Sequence, residues 1–418
     1  AGGRPAGSSP LPRVLVIVQN LPVPLDRRVW LESRALVGAG YGVSVICPAG
    51  PGDAAYQELE GVCIHRYRPP RQAGGLAGFA WEFAYCWART AWLSLRVLRR
   101  EGFDVIQACN PPDTYWLLAR LYRLLGKRFV FDHHDLCPEV YEARFGGGRP
   151  ALRRALVALE RASVRSADHV VSTNESYRRV ATTRAGVSLD RATVVRSGPD
   201  TTRLYRQAPE PALKAGRRHL CAYLGVMGPQ DGVDVVVRAA DVIVHGMGRT
   251  DCHFALLGFG DCLADLRALA TGLGLDDWVT FTGRADDAMI RRWLSTADVG
   301  LSPDPPTAFN DLSTMNKTLE YMAFGLPVVA YDLAETRVSA GDAAVYVDQD
   351  GPEAFATAVC ALLDDPGRRE AMGNAGAARI RDGLSWIHQA AAYVAVYDRL
   401  TGRAPARAAA GDRVEERA

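Results

Sequence analysis

The chain has no stretch of about 18 uninterrupted apolar residues, so nothing in it reads as a spanning helix. It has no paired cysteines either: nine are scattered singly, the count is odd, and no C-x-x-C occurs. A disulfide framework and a structural zinc site are therefore not expected, and a reducing cytoplasm is the expected setting. Charge of one sign is also lacking. Lys and Arg total 49 against 47 Asp and Glu, a net charge of +2, which gives no bulk-charge case for nucleic acid as a partner. The first twelve residues lack the apolar core of a signal peptide.

What is present is globular. Apolar residues make up 48% of the 418 and charged residues 23%, and a chain of that length implies two domains. Val14–Val18 is a continuous apolar run of the kind buried in a parallel sheet. A proline-containing loop follows, then a helical pattern from Arg27 to Ala39 and a second strand at Val43–Cys47. The alternation continues through strands at Val105–Gln107, Arg128–Phe131 and His169–Ser172. It resumes at Cys221–Leu224, His253–Leu257, Val279–Thr282, Val299–Ser302, Val328–Ala330 and Ala344–Val347. Such alternation predicts an α/β protein built from doubly wound parallel sheets covered on both faces.

Little apolar periodicity and several prolines mark a linker beginning at Gly198-Pro199-Asp200. The expected division is a disordered start at 1–12, a domain at 13–200 and a second domain at 201–385. A closing helix at 386–402 returns to the first domain, and a disordered tail follows at 403–418. In such folds ligands sit beyond the C-terminal ends of the strands, at helix N-termini.

That rule directs attention to Ser302–Asp332: strand, loop "PDPPTAFNDLSTMNK", helix "TLEYMAFG", then "LPVVAYD". The loop delivers Ser313, Thr314, Met315 and Asn316 to a helix start, where free N–H groups bind anions. Lys317 can place a point charge on a phosphate. Glu320 shares that helix face, and its carboxylate can accept from two adjacent hydroxyls. Phosphate donors beside a diol acceptor suit a nucleotide diphosphate. An ordinary polar helix start is the alternative reading of the same residues.

"NKTLEYMAFGLPVVAYD" resembles the donor-site signature of glycosyltransferase family 4, a retaining family of GT-B fold. "RVLVIVQNLPVPLDRRVWLESRALVGAGYGVSVICP", "LLGFGD", "VTFTGRADDAMIRRWLSTADVGLSP" and "SAGDAAVYV" extend the likeness, in order, over roughly Val14–Leu400. The resemblance implies two Rossmann-like domains facing a cleft, with the acceptor on the first and the nucleotide sugar on the second. It implies that Glu320 binds the ribose hydroxyls. Asn316, Lys317 and the N–H groups of Ser313, Thr314 and Met315 would hold the diphosphate and part of the sugar. Arg284, after Gly283, would lie at the base. Gly228, Gly258 and Gly260 would admit the nucleoside to the backbone, a tight strand–helix turn being the plainer explanation for Gly258 and Gly260. No cofactor is implied and no divalent metal is expected, because helix dipoles and cations replace it.

Two departures from the family pattern stand out. The family's Glu-x7-Glu pair has Leu312 in place of its first glutamate. Its Arg and Lys after the strand that opens the second domain are replaced by Val226 and Asp231. Lys317 then carries more of the charge neutralisation, with Arg27 or Arg28 as the expected supplement.

The first domain supplies "VFDHHDLCPEVY". The resemblance assigns donor-sugar contact to His134, with Asp135 orienting it and His133 in reserve. A zinc reading of these His and Asp residues is weakened by their divergent directions and by the lack of a fourth ligand at helical spacing. The loop "QNLPVPLDRRVW" brings Asn20, Asp26, Arg27 and Arg28 toward the acceptor or departing phosphate, although Asp26 is also a natural N-cap. Leu76–Leu98, with Trp81, Trp87 and Trp92, and the basic Arg149–Arg165 are candidates for peripheral contact with an anionic membrane. The expected partners are a UDP-sugar and a hydroxyl-bearing glycan, lipid-linked or natural-product acceptor. The alternatives are a nucleotide-sugar epimerase and a non-catalytic nucleotide-sugar binder.

Overall fold

The computed structural model describes residues 11–70, 75–146 and 148–404. The first sheet has eight strands: β1 (Arg13–Ile17), β2 (Gly42–Pro48), β3 (Tyr56–Leu59), β4 (Val62–Tyr67), β5 (Val105–Cys109), β6 (Arg128–His133), β7 (His169–Ser172) and β8 (Ala192–Val194). Their spatial order is β3-β4-β2-β1-β5-β6-β7-β8. The second has six: β9 (His219–Val226), β10 (Cys252–Phe259), β11 (Val279–Gly283), β12 (Val299–Ser302), β13 (Val328–Tyr331) and β14 (Ala344–Val347). Their order is β11-β10-β9-β12-β13-β14. All pairings are parallel except β3 with β4.

The sequence dictates this layering. Val14, Leu15, Val16 and Ile17 are all buried, the odd and even residues entering two separate apolar clusters on opposite faces of the sheet. Only a strand covered by helices on both sides needs apolar residues at every position. In the second sheet Tyr223 and Leu256 likewise pack on one face, and Ala222, Leu224 and Leu257 on the other.

The hairpin β3–β4 escapes the sequence reading. Its edge strand is Tyr-Gln-Glu-Leu, largely exposed and without an apolar face. Its turn places Glu60 and Gly61 at φ 48° and 80°, the left-handed pair that a two-residue hairpin turn demands. Helix limits also move. The helix read as "TLEYMAFG" begins earlier, at Asn316. In the second domain the helix Val233–Asp241 passes into a π turn at Val242–Gly246.

The chain crosses between the sheets after β8 and returns just before the helix Trp386–Thr401. The crossings touch: Trp386 N donates to Pro199 O (3.0 Å). A Cβ on Gly198 would lie 2.2 Å from Leu384 O, so only glycine lets the strands approach there. The final helix packs on the first sheet, where Trp386, Tyr393, Val396 and Tyr397 join the cluster containing Val14 and Val16. Residues 1–10 and 405–418, where disorder is expected, lie outside the described residues.

Candidate active site

The helix Asn316–Ala323 starts beyond the end of β12. Thr318 N donates to Met315 O at 3.0 Å, so the N–H groups of Asn316 and Lys317 precede the first helical donor and belong to the open start of the helix. Ser313 departs from expectation, because its N–H is already given to Asn310 O (3.1 Å). The N–H groups available to an anion begin later in the chain.

Lys317 is buried against two carboxylates. Its Nζ lies 2.5 Å from Asp304 Oδ1 and 3.9 Å from Asp231 Oδ1, and 5.2 Å from the centre of the Tyr223 ring. Burial works against its charge, but the two aspartates outweigh it and raise the pKa. Asp231 also accepts from Gly228 N (2.9 Å), closing the turn that Gly228 opens. The residue standing where a family cation is usual therefore helps to neutralise the neighbouring lysine.

Glu320 faces the opposite domain. Its Oε1 accepts from Arg27 Nη1 at 2.9 Å, and Arg27 also reaches Asp287 (3.5 Å). Burial raises the Glu320 pKa, with Arg27 partly opposing it. Asp311, beside the missing first glutamate, accepts from Ala334 N (2.8 Å) and is turned away to start the next helix.

The loop before the helix Asn316–Ala323 is pinned by the first domain. Asn174 Nδ2 donates to Leu312 O (2.9 Å) and Thr314 Oγ1 (3.1 Å), and Tyr177 OH lies 2.9 Å from Ser313 Oγ. Arg196 reaches Glu335 at 3.5 Å. The Ser313 and Thr314 side chains thus belong to the seam between domains.

Several expected site residues are engaged within the protein. Arg28 is buried. Its guanidinium is turned inward to Glu32, Asp132 and His134, each at 3.0 Å, and to Val195 O (2.8 Å). Asp26 is the N-cap of the helix Arg27–Gly38, accepting from Val29 N (3.1 Å). His134 is held by Asp132 and Asn110: Asp132 Oδ2 lies 2.7 Å from His134 Nε2, and Asn110 Oδ1 accepts the His134 and Asp135 N–H groups at 2.6 and 3.1 Å. His133 is fully buried, 3.2 Å from Glu160 and packed between Phe131 and Tyr177. Gly258 and Gly260 are required by protein packing, since a Cβ would lie 1.9 Å from Gly225 O and 2.6 Å from Met227 O respectively.

Gly283, at φ 72°, ends β11, and Arg284 lies over the Phe259 ring (5.3 Å) at the neighbouring end of β10. Asn20 and Asp135 line a cavity of about 330 Å³ with Pro111, Val140 and Ala143 of the first domain and Gln230 and Phe309 of the second. The cavity is therefore an open one, shared between the two domains.

Glu32, Cys109, Asp132 and His134 bring potential metal ligands within 4.8 Å of one another. Arg28 already supplies a cation to three of them. Burial pushes the Cys109 thiol pKa up, which keeps it a protonated, poor ligand. The donor set fits a guanidinium better than a metal.

Comparison with known proteins agrees with this architecture. The description Glycosyltransferase Family 4 matches residues 25–203 and Glycosyl transferases group 1 matches residues 218–365. A D-inositol 3-phosphate glycosyltransferase of Thermomonospora curvata is 29% identical over 301 residues, 65% of this chain and 67% of that protein. Its namesake from Acidothermus cellulolyticus is 28% identical over 354 residues, 79% and 75% of the two chains. Among solved structures, sucrose-phosphate synthase from Thermosynechococcus elongatus superposes with TM-score 0.74 at 18% identity, covering 94% of this chain and 99% of that one. WaaG, a glycosyltransferase involved in lipopolysaccharide biosynthesis, gives 0.70 at 17%, covering 93% and 100%.

Two parallel-sheet α/β domains around such a cleft define the GT-B fold. The chain belongs to glycosyltransferase family 4. It is a transferase, which sets aside the epimerase and the non-catalytic binder.

Proposed function

We propose that this enzyme moves a sugar, with retention, from a UDP-sugar to a hydroxyl of a glycan, lipid-linked or natural-product acceptor. The observation that carries the site is the Arg27–Glu320 contact (2.9 Å), which sets the helix start of the first domain against the donor helix of the second. In this reading the ribose diol takes over Glu320, and Arg27, released from it, turns to the diphosphate. That movement supplies a cation where Val226 and Asp231 supply none.

The Asn316 and Lys317 N–H groups and the Lys317 ammonium stabilise charge growing on the leaving phosphate. His134, held by Asp132 and Asn110, contacts the donor sugar, and Arg284 and Gly283 flank the base. The acceptor enters the cavity bounded by Asn20 and Asp135. No carboxylate is assigned as a covalent nucleophile, so attack comes from the face the diphosphate leaves, with that phosphate as base. The solved HepE from Anabaena in complex with UDP and glucose, TM-score 0.68 at 15% identity, supports a UDP donor by analogy. Proton NMR of the product's anomeric coupling tests retention, and an inverted product contradicts it.

A peripheral membrane contact at the cytoplasmic face is also proposed. No helix among the described residues is long and apolar enough to cross a membrane. The helix Gly75–Arg100, however, leaves Trp81 and Trp92 exposed, with Arg89 and Arg96 stacked at 5.1 and 5.7 Å from the Trp92 ring. Exposed indoles beside arginines suit an anionic interface. The other basic stretch contributes less, because Arg161 and Arg165 donate to the carbonyls of Arg184 and Ala185. Co-sedimentation with anionic liposomes at low salt checks this, and an unbound protein contradicts it.

A further inference from the structure

Behind His134 lies a polar relay that the transfer chemistry itself does not account for. Gln107, fully buried on β5, is saturated. Its Nε2 donates to Asp132 Oδ2 (2.9 Å) and Glu32 Oε2 (2.8 Å), and its Oε1 accepts from Tyr393 OH (2.6 Å) and from Tyr397 OH. Two donors and two acceptors are all that the amide offers, so its orientation is fixed. A flipped amide would turn its oxygen on the two carboxyls. Asp132 in turn meets His134 Nε2 at 2.7 Å and receives Arg28 Nη2 at 3.0 Å.

The far end of this relay belongs to the final helix. Tyr393 and Tyr397 stand four residues apart on one face of Trp386–Thr401, a segment reached only after the chain has traversed the second sheet. That helix begins where the two crossings touch, Trp386 N donating to Pro199 O (3.0 Å). Arg28 closes the circuit from the other crossing, giving Nη1 to Val195 O (2.8 Å) and Ser197 Oγ (3.1 Å) while its Nε approaches His134 Nε2 (3.0 Å). Both interdomain crossings are thereby connected to one imidazole. A buried amide satisfied at both its nitrogen and its oxygen holds a single geometry.

We propose that Gln107 and Asp132 are positioning residues that make the orientation of His134 depend on docking of the final helix. The donor-facing ring is then set in place only when the crossings and that helix are assembled. The inference rests on reading His134 as a donor-sugar contact.

The test is the double substitution Tyr393→Phe and Tyr397→Phe, which removes both hydroxyls and keeps both rings. In the full-length protein the ring-nitrogen NMR signals of His134 should move from their wild-type positions. Release of UDP from UDP-glucose should show a kcat about tenfold lower, with KM within about twofold. If the double variant does not fold, Gln107→Met is measured in its place, with the same expectations. Unmoved His134 signals together with wild-type kcat overturn the relay. Moved signals with kcat unchanged, both in that variant and in His134→Ala, show that the reading of His134 has failed and that the positioning proposal falls with it.

Discussion

Arg27 Nη1 and Glu320 Oε1, 293 positions apart in sequence, meet at 2.9 Å across the cleft. The arginine is the first residue of a helix on one sheet, and the carboxylate stands one turn into a helix on the other. The pair holds a cation beside a site whose own lysine is already matched by Asp304 and Asp231.

Arg27→Ala is expected to lower kcat/KM about ten- to a hundredfold, through the loss of one charge-assisted contact of about 1.5–3 kcal/mol. Folding stability should change by no more than about 1 kcal/mol, because the arginine is half-exposed and such pairs contribute little. Steady-state kinetics and urea unfolding of the same preparation separate the two effects. A large stability loss with wild-type turnover would make the contact a domain clamp only.

Lys317→Ala should cut kcat/KM at least tenfold, or about 1.4 kcal/mol. It should also destabilise the protein by about 3–5 kcal/mol, because Asp304 is left buried without its cation. Removing both charges, Lys317→Met with Asp304→Asn, should recover much of the stability and none of the activity. Wild-type turnover in either variant sinks the phosphate role of Lys317.

Asp113 gives a pH-dependent expectation. Burial pushes its carboxyl pKa up to about 6, above the ordinary carboxylate range. Below that ordinary range the folded and unfolded chains both hold the proton and no penalty exists. As pH rises toward 6 the unfolded chain ionises first, so stability falls, and above 6 the full penalty remains. Asp113→Asn removes it, so the variant should melt higher than wild type at pH 8 and equally at pH 3. The ceiling is about 3 kcal/mol from the size of the shift, or several degrees for a domain of this size. Equal melting temperatures at pH 8 would refute the assignment.

The sheets were legible because their strands are apolar at every position, as in Val14–Ile17 and Val328–Ala330. The edge strand Tyr56–Leu59 was not, because exposure on one edge leaves no apolar pattern to read. The helix after β12 was legible from its loop and its "TLEYMAFG" pattern, though it begins earlier, at Asn316. The partners of its side chains were not. Asp304 and Asp231 converge on Lys317 from separate loops, and no local spacing records that. The same holds around His134. The effective partners, Asp132 two residues back and Arg28 from another helix, emerge only when β6 is laid beside the first helix. Gln107 and Tyr393 are 286 positions apart, a pairing that only the closing helix's return explains. Arg27 and Arg28 are adjacent and chemically alike, yet the helix turn sends one into the cleft and the other into the core.

The measurement that bears most directly on the donor site is thermal denaturation with UDP, GDP, ADP or dTDP, in the presence and absence of EDTA. A ligand that binds only the folded chain raises its melting temperature. UDP should raise it for the wild type, EDTA should leave the rise unchanged, and Glu320→Ala should abolish it. No rise with any of the four diphosphates, or a rise that survives Glu320→Ala, would contradict a nucleotide diphosphate at the start of the helix Asn316–Ala323.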